Sequence, residues 1–482
     1  MRRLLLPLLL LFLTLGLVIA VTRQLPFANG PAEWEWAYRP AGLEGLGLIA
    51  AAALMVILTW VAAQDRPTDW RWALPLLVVL GWALTLDLAR AQPEGFRRIM
   101  RSLASRHSFG YVFDEGLAPD TRELLADYPA ATAGLNQHAR THPPGPLLAV
   151  RGLDAIGRRL PPAKDDGGLV SMAADSLRRE IERAAIRGRP VPRRAAAPGT
   201  LLLLALLLPA LSALAAWPLH RLSLRLGLTP AAALFAVALW LLVPARSVFT
   251  PSLDQALPAF LVASAWLATG REKWRAVLAG LFLALCAFFS YGYLAAAPLV
   301  GLLALTAERG GEEWPRIAWR FAATRTALLI AGFLLPWLAL ALFSGYDLWE
   351  AFRSAMVQHR AIAVTPRGYS TWLVWNPYDF ALLLGPVALG LAAAALRARA
   401  ERTPGYRALA WGWWGLIVLL LVSGSVRGEV GRIWLMLMPF ACLLAAGAAA
   451  ERWSPRSPWP SLFLLAEAAL LVALAANLVF VA

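Results

Sequence analysis

Cysteine is nearly missing from this chain: of 482 residues, only Cys286 and Cys442 are cysteines. Both lie inside apolar runs, which excludes a disulfide framework or a cysteine metal site and leaves them as small hydrophobes. Charge is scarce in the long apolar runs too, where Asp87 and Glu467 stand out. No internal repeat is visible. Polar sequence as a whole is in short supply: 59% of the residues are hydrophobic, the mean hydropathy is +0.59, and 22 residues are tryptophan. That balance excludes a soluble globular protein.

What is present is a succession of apolar runs. A bilayer core is about 30 Å thick, so roughly 20 apolar residues cross it as a helix. Candidate spans lie near 4–22, 43–63, 72–90, 198–216, 228–244, 256–269, 275–290, 292–307, 326–343, 379–396, 408–424, 433–450 and 461–481. The chain therefore reads as an all-α polytopic membrane protein of about thirteen transmembrane helices, one membrane domain over 1–482.

The formal charge of +15 raises the question of nucleic acid, but the arginines have another explanation. With the N-terminus in the cytoplasm and the runs threaded alternately, the short inside loops hold Arg2, Arg3, Arg66, Arg71, Arg221, Arg225, Arg271, Lys273, Arg275 and further arginines near 309–325, 397–407 and 452–456. The short outside loops hold fewer cations, which is the positive-inside pattern, and the basic loop 91–197 is long enough to be exempt from it. Membrane lipids are the expected partners, with no nucleic acid. Arg2-Arg3 before a leucine-rich run is also how a secretory signal begins, but no small-x-small cleavage site stands out, so an uncleaved first helix is expected. The alanine, arginine, leucine and proline content points to a GC-rich bacterial genome. The expected location is the bacterial inner (cytoplasmic) membrane, with the site on the periplasmic or extracellular side.

The chemically varied sequence falls in the outward loops 23–42, 91–197, 245–255, 344–378 and 425–432. The longest reads as an external loop carrying active-site motifs, with either interfacial amphipathic helices or a basic linker over 147–197. Ionisable groups close to lipid are costly and face a cavity or a partner. Asp114 and Glu115, in Phe109-Gly110-Tyr111-Val112-Phe113-Asp114-Glu115-Gly116, sit among aromatics that lower the local dielectric and suit a general base. A solvated turn is the plainer account of them. Glu33 and Glu35, interleaved with Trp34 and Trp36, form a second pair, for which an interfacial aromatic belt is the alternative.

His138 and His142 have a spacing that puts two imidazoles on one helical face, as in some zinc sites. Pro143 turns His142 away from helical geometry and no third ligand lies nearby, so no metal or other cofactor is required. His142 then donates to a phosphate or orients a carboxylate. Asp254 ends an outward loop just before a span. Arg427, Glu429 and Arg432 open a late one, where an arginine fork can clamp a phosphate or simply snorkel to the interface. His359 belongs to an aromatic loop that, with Tyr346, Trp372, Trp375 and Asn376, has the composition of a sugar platform or of any interfacial loop.

With these motifs in order, the chain resembles the GT-C superfamily of integral-membrane glycosyltransferases, which includes the protein O-mannosyltransferases and the lipid A aminoarabinose transferases. The resemblance rests on Asp114-Glu115, then Thr141-His142-Pro143-Pro144, then Glu429-x-x-Arg432-Ile433-Trp434 followed by Pro439. It covers most of the chain in topology and only these motifs in sequence. The chain departs from the pattern in three places. Its acidic pair follows the third apolar run, whereas Glu33 and Glu35 follow the first. Gly145 stands where a leucine is usual after the prolines. Arg151 and Asp154 occupy the segment behind them.

The resemblance implies sugar transfer, with inversion, from a polyprenyl-phosphate donor to a hydroxyl of a glycan, lipid or protein acceptor on the non-cytoplasmic face. Asp114 or Glu115, and after them Glu33 or Glu35, would be the base. Arg432, helped by Arg427 or His142, would hold the leaving phosphate, with His138, Asp254, His359 and Glu429 as further binding residues. The competing expectation is a transporter or flippase for a lipid-linked or anionic solute. The number of spans favours it; the charge-poor spans and missing repeat do not.

Overall fold

The computed structural model describes residues 2–25, 53, 55–56, 70–92, 94–161, 167–306, 317–397 and 403–478. Among the described residues it is helical and has no strand. Seven helices are long and apolar enough to cross a membrane: Leu4–Thr22, Arg71–Ala91, Pro198–Arg225, Phe321–Ser344, Pro404–Ser423, Leu435–Arg452 and Trp459–Asn477. A bent pair, Tyr369–Leu384 and Pro386–Arg397, meets at 104° and adds an eighth if it counts as one span. The chain is an integral membrane protein. Shorter apolar helices, Pro230–Leu242, Leu253–Ala268 and Tyr291–Leu305, pack among the long ones. The expected span at 43–63 and the carboxylates Glu33 and Glu35 lie outside the described residues, apart from isolated positions in 43–63.

Composition sorts the spans into inner and outer positions. Leu435–Arg452 is 83% buried, whereas Phe321–Ser344 is only 17% buried and presents Leu342 and Phe343 outward, as a lipid-facing helix does. The central helix is rich in alanine (Ala441, Ala445, Ala446, Ala448), so Pro230–Leu242 and Pro386–Ala394 pack closely on it. The first span lies along the last, Trp459–Asn477. Lys273–Phe289 touches Ile317–Ser344 backbone to backbone: a Cβ on Gly280 would meet the Leu329 carbonyl at 2.1 Å, and one on Gly332 the Val277 carbonyl at 2.2 Å.

Residues 94–161 and 167–197 form a cap of short helices over one end of this bundle. Its core joins Ile99, Met100, Leu103, Val112 and Leu124 to Leu201 and Leu204 of the span that follows. Asp120, Asp127 and Asn136 each accept a backbone N–H at the start of the next short helix, which is why the loop breaks into brief turns. Asp154 accepts from Ala197 N at 2.7 Å and Thr200 Oγ1 at 2.9 Å, and so anchors the start of Pro198–Arg225. Helix Leu169–Ile186 turns Ala173, Leu177 and Ala184 inward against Phe96–Ala104 and Pro198–Leu214, leaving Arg178, Arg179, Arg183 and Arg187 outward. Leu348–His359 closes over the cap against Tyr128–Thr132 and Gln137–Thr141.

Candidate functional site

A cleft opens where the cap meets the bundle. Counting the space open to solvent, it encloses about 580 Å³, and segments far apart in sequence converge on it. The cap contributes Tyr111, His138 and His142. The turn before Leu257–Ala268 contributes Ser252 and Asp254, the end of Lys273–Phe289 contributes Phe289 and Ser290, and Val430–Ile433 contributes Arg432.

The His-Pro-Pro corner sets one wall. Gln137–Thr141 is a short helix capped by the Asn136 side chain, and His142 leaves it with extended backbone (φ −117°, ψ 157°), as a residue before proline must. Gly145, two residues past Pro143, begins the next helix. A Cβ there would lie 2.2 Å from the Phe288 carbonyl, so only glycine lets the corner seat on the end of Lys273–Phe289. This contact accounts for the glycine where the resemblance expects leucine.

Both histidines are neutral at physiological pH. Burial, and then the field of Arg432, push His142 down to about 4; burial, His142 and Arg432 do the same to His138. The neutral tautomers follow from their partners. His142 Nδ1 lies 3.0 Å from the His138 carbonyl and His138 Nε2 lies 3.3 Å from the His107 carbonyl. A carbonyl only accepts, so these nitrogens carry the protons, leaving His142 Nε2 and His138 Nδ1 as acceptors.

Arg432 supplies the positive charge. It pairs with Glu429 at 2.7 Å and with Asp254 at 3.5 Å, and the two carboxylates hold its pKa up against burial. Its Nε is buried and makes no hydrogen bond among the described residues. Glu429 sits in the left-handed region (φ 58°), unusual for a residue with a side chain. Several contacts hold it there. Arg367 pairs with it at 3.0 Å, Asn376 accepts from Gly428 N at 3.0 Å, and Asn376 Nδ2 donates to the Val426 carbonyl at 2.8 Å. Burial works to raise the Glu429 pKa, but Arg432 and Arg367 together leave it below the ordinary glutamate value.

The remaining described residues of the sequence-derived site, Asp114, Glu115, His359 and Arg427, sit around the cleft rather than in it. Asp114 is buried behind Tyr111, accepts from Asn136 N at 2.8 Å and lies 3.6 Å from Arg106. Burial lifts it to about 6, against the pull of the Asn136 hydrogen bond and of Arg106. Glu115 accepts from Arg151 at 2.9 Å, and Arg151 also reaches Thr121 and the Pro119 carbonyl, so this pair ties two cap helices together. Arg427 lies over the Tyr369 ring and donates to the Val364 and Arg367 carbonyls, and His359 contacts the Ser425 carbonyl at 3.1 Å; both brace the loop that carries Arg432. In the aromatic loop, Tyr346 is buried against Tyr291 and Trp372 lies under Arg367.

Among the described residues, no three His, Cys, Asp or Glu side chains are grouped so as to hold a metal ion. Tyr111, Ser252, Phe289, Ser290 and the bracing Arg367 are absent from the sequence-derived site. For Ser252 a signal existed: it begins a capping box closed by Gln255. No protein-family model matches this chain, and no curated protein sequence matches it.

Proposed function

We propose that this chain is a GT-C-like membrane glycosyltransferase that moves a sugar from a polyprenyl-phosphate donor to an acceptor hydroxyl with inversion. In this reading it lies in a bacterial inner membrane with the cap outside, the shorter apolar helices counting toward a thirteen-span topology. The observation that carries the proposal is the convergence of Arg432, Asp254 and two neutral histidines in one cleft at the end of an apolar bundle. A lipid-linked anion needs that combination: an apolar body for the chain, a cation for the phosphate and acceptors for the sugar and the attacking hydroxyl.

The donor phosphate binds the Arg432 fork, where a planar guanidinium donates through Nε and Nη. The acceptor oxygen attacks the anomeric carbon from the opposite face, and its proton passes to Asp254. The anomeric C–O bond to phosphate breaks, and the polyprenyl phosphate departs as an anion stabilised by Arg432. Because the leaving group is already an anion, the step requires neither a protonated acid nor a metal. Asp254 is preferred as base over Asp114 and Glu115 because it lines the cleft, whereas Asn136 and Arg151 hold those two in the cap. Asp254 accepts from Ser252 at 3.2 Å and faces Arg432 at 3.5 Å. In this reading the donor phosphate takes Arg432 from it and leaves the carboxylate to the acceptor. Asp114 becomes a positioning residue, acting through Asn136 on the histidine helix.

The test is transfer from a radiolabelled panel of polyprenyl-phosphate sugars by purified protein in lipid. Asp254→Asn is expected to lower turnover by roughly 10²-fold or more with donor binding retained. Full turnover in that variant removes Asp254 from the role.

One observation favours the transporter reading. The span Tyr369–Leu384 breaks at Gly385 into Pro386–Ala394, and Glu467 reaches the break, accepting from Ala388 N at 3.1 Å. Broken helices with an ionisable group are a transporter device. Movement of a lipid-linked solute across the bilayer without any sugar transfer would favour it.

A further inference from the structure

At the end of the bundle opposite the cleft, the described residues gather cations and aromatic rings with little carboxylate to balance them. Lys273–Phe289 runs from this end to the cleft, so its N-terminal arginine lies about 20 Å from Phe289 at 1.5 Å per residue. Arg325 is buried here. One of its nitrogens, Nη2, donates to the Ala268 carbonyl at 2.5 Å, while Nε and Nη1 are buried with no hydrogen-bond partner among the described residues. Its guanidinium lies 5.4 Å from the centre of the Phe321 ring. Arg225 and Arg275 are within electrostatic reach of it, and Arg271 of Arg225. Arg275 lies over both Trp266 and Trp274, at 5.8 and 5.3 Å. Among the described residues, the carboxylate within reach of this group is Glu272, which is paired with Arg275 at 2.9 Å.

Among the described residues, four guanidinium groups surround one carboxylate, and they repel one another unless an anion sits between them. A buried guanidinium with two unengaged nitrogens marks where that anion's oxygens belong, because an unpaired buried donor is costly. The tryptophans place the group at headgroup depth, where their rings are favoured. We propose that this cluster binds the phosphate headgroup of an anionic glycerophospholipid of the adjacent leaflet, which is the cytoplasmic one in the positive-inside orientation. Basic pockets between transmembrane helices on that side take such headgroups. The site is independent of the sugar-transfer reading: it lies at the other end of the molecule and shares no residue with the cleft.

The experiment uses full-length protein in detergent, titrated with phosphatidylglycerol, phosphatidylcholine or inorganic phosphate, with bound ligand read by native mass spectrometry. Arg225→Gln/Arg275→Gln changes residues at or near the surface. It is expected to weaken phosphatidylglycerol binding roughly thirtyfold, the loss of two cations at an anionic headgroup, and to leave phosphatidylcholine unchanged. Arg325→Gln is expected to do the same, and the double variant covers the case in which Arg325→Gln fails to fold. Equal phosphatidylglycerol binding in wild type and the double variant overturns the proposal. So does displacement of the lipid by inorganic phosphate at equal concentration, which would make the cluster a site for the free anion.

Discussion

Arg432 and Arg427 are five residues apart and have different surroundings. Arg432 keeps a buried Nε that faces Asp254 at 3.5 Å and makes no hydrogen bond among the described residues, while Arg427 is engaged with backbone carbonyls and a tyrosine ring. Arg432→Lys keeps the charge and loses the fork, so transfer is expected to fall about 10²-fold, measured as kcat/KM with labelled donor. Arg427→Lys is expected to lower Tm with a smaller effect on turnover. Buried groups in and beside the cleft also set the response to acid. Burial lifts Asp114 from the ordinary 3.8 to about 6, so its contribution to stability is full below about 4 and is lost as pH rises through 6. His138 and His142 are pushed down from 6.5 to about 4, so their contribution is present above 6.5 and is lost as pH falls through 4. Two histidines outweigh one aspartate, and Tm in detergent is expected to drop between pH 6.5 and 4. His142→Gln should make that drop shallower and Asp114→Asn steeper. Identical slopes in all three proteins would refute the assignment.

At the scale of elements, two contacts decide how helices meet. Gly145 seats the His-Pro-Pro corner against the Phe288 carbonyl, so Gly145→Ala forces one of the two backbones to move. A cost of about 1–3 kcal/mol is expected, read as a lower Tm together with weaker donor binding, because the corner carries His142. Glu467, one of the few charges in the apolar runs, accepts the Ala388 N–H at the start of Pro386–Ala394. Glu467→Ala leaves that donor without its partner and is expected to cost about 1–3 kcal/mol, whereas Glu467→Gln keeps an acceptor and should cost less. A thermal-shift series on the two variants separates the outcomes; equal losses would mean that Glu467 acts through its charge instead.

For the whole molecule, the two ends differ in chemistry. One carries the cap and the cleft; the other carries the arginine and tryptophan cluster. The positive-inside orientation expected from the sequence would put the second in the cytoplasm. Cys286 and Cys442 are both buried, so introduced cysteines report without background from exposed native thiols. In intact spheroplasts, Arg189→Cys in the cap should react with a membrane-impermeant maleimide, and Arg271→Cys should react only after permeabilisation. The reverse pattern would invert the topology and place the cleft in the cytoplasm.

The membrane character was readable from the sequence because hydropathy is a local property: an apolar run needs no partner to be costly in water. The His-Pro-Pro corner and the Glu429–Arg432 pair were equally legible, since proline restricts its predecessor and residues three apart on one turn meet. Tertiary structure alone decided which carboxylate lines the cleft. Asp114 and Glu115 are prominent in the sequence, yet Asn136 and Arg151 draw them into the cap, and Asp254 arrives from a turn more than a hundred residues later. It also decided that Gly145 must be glycine, that Arg367 and Asn376 brace Glu429, and that Arg225, Arg275 and Arg325 share one cluster. Each of these depends on distances between segments that only the packing of helices brings together, and no local pattern of residues encodes such distances.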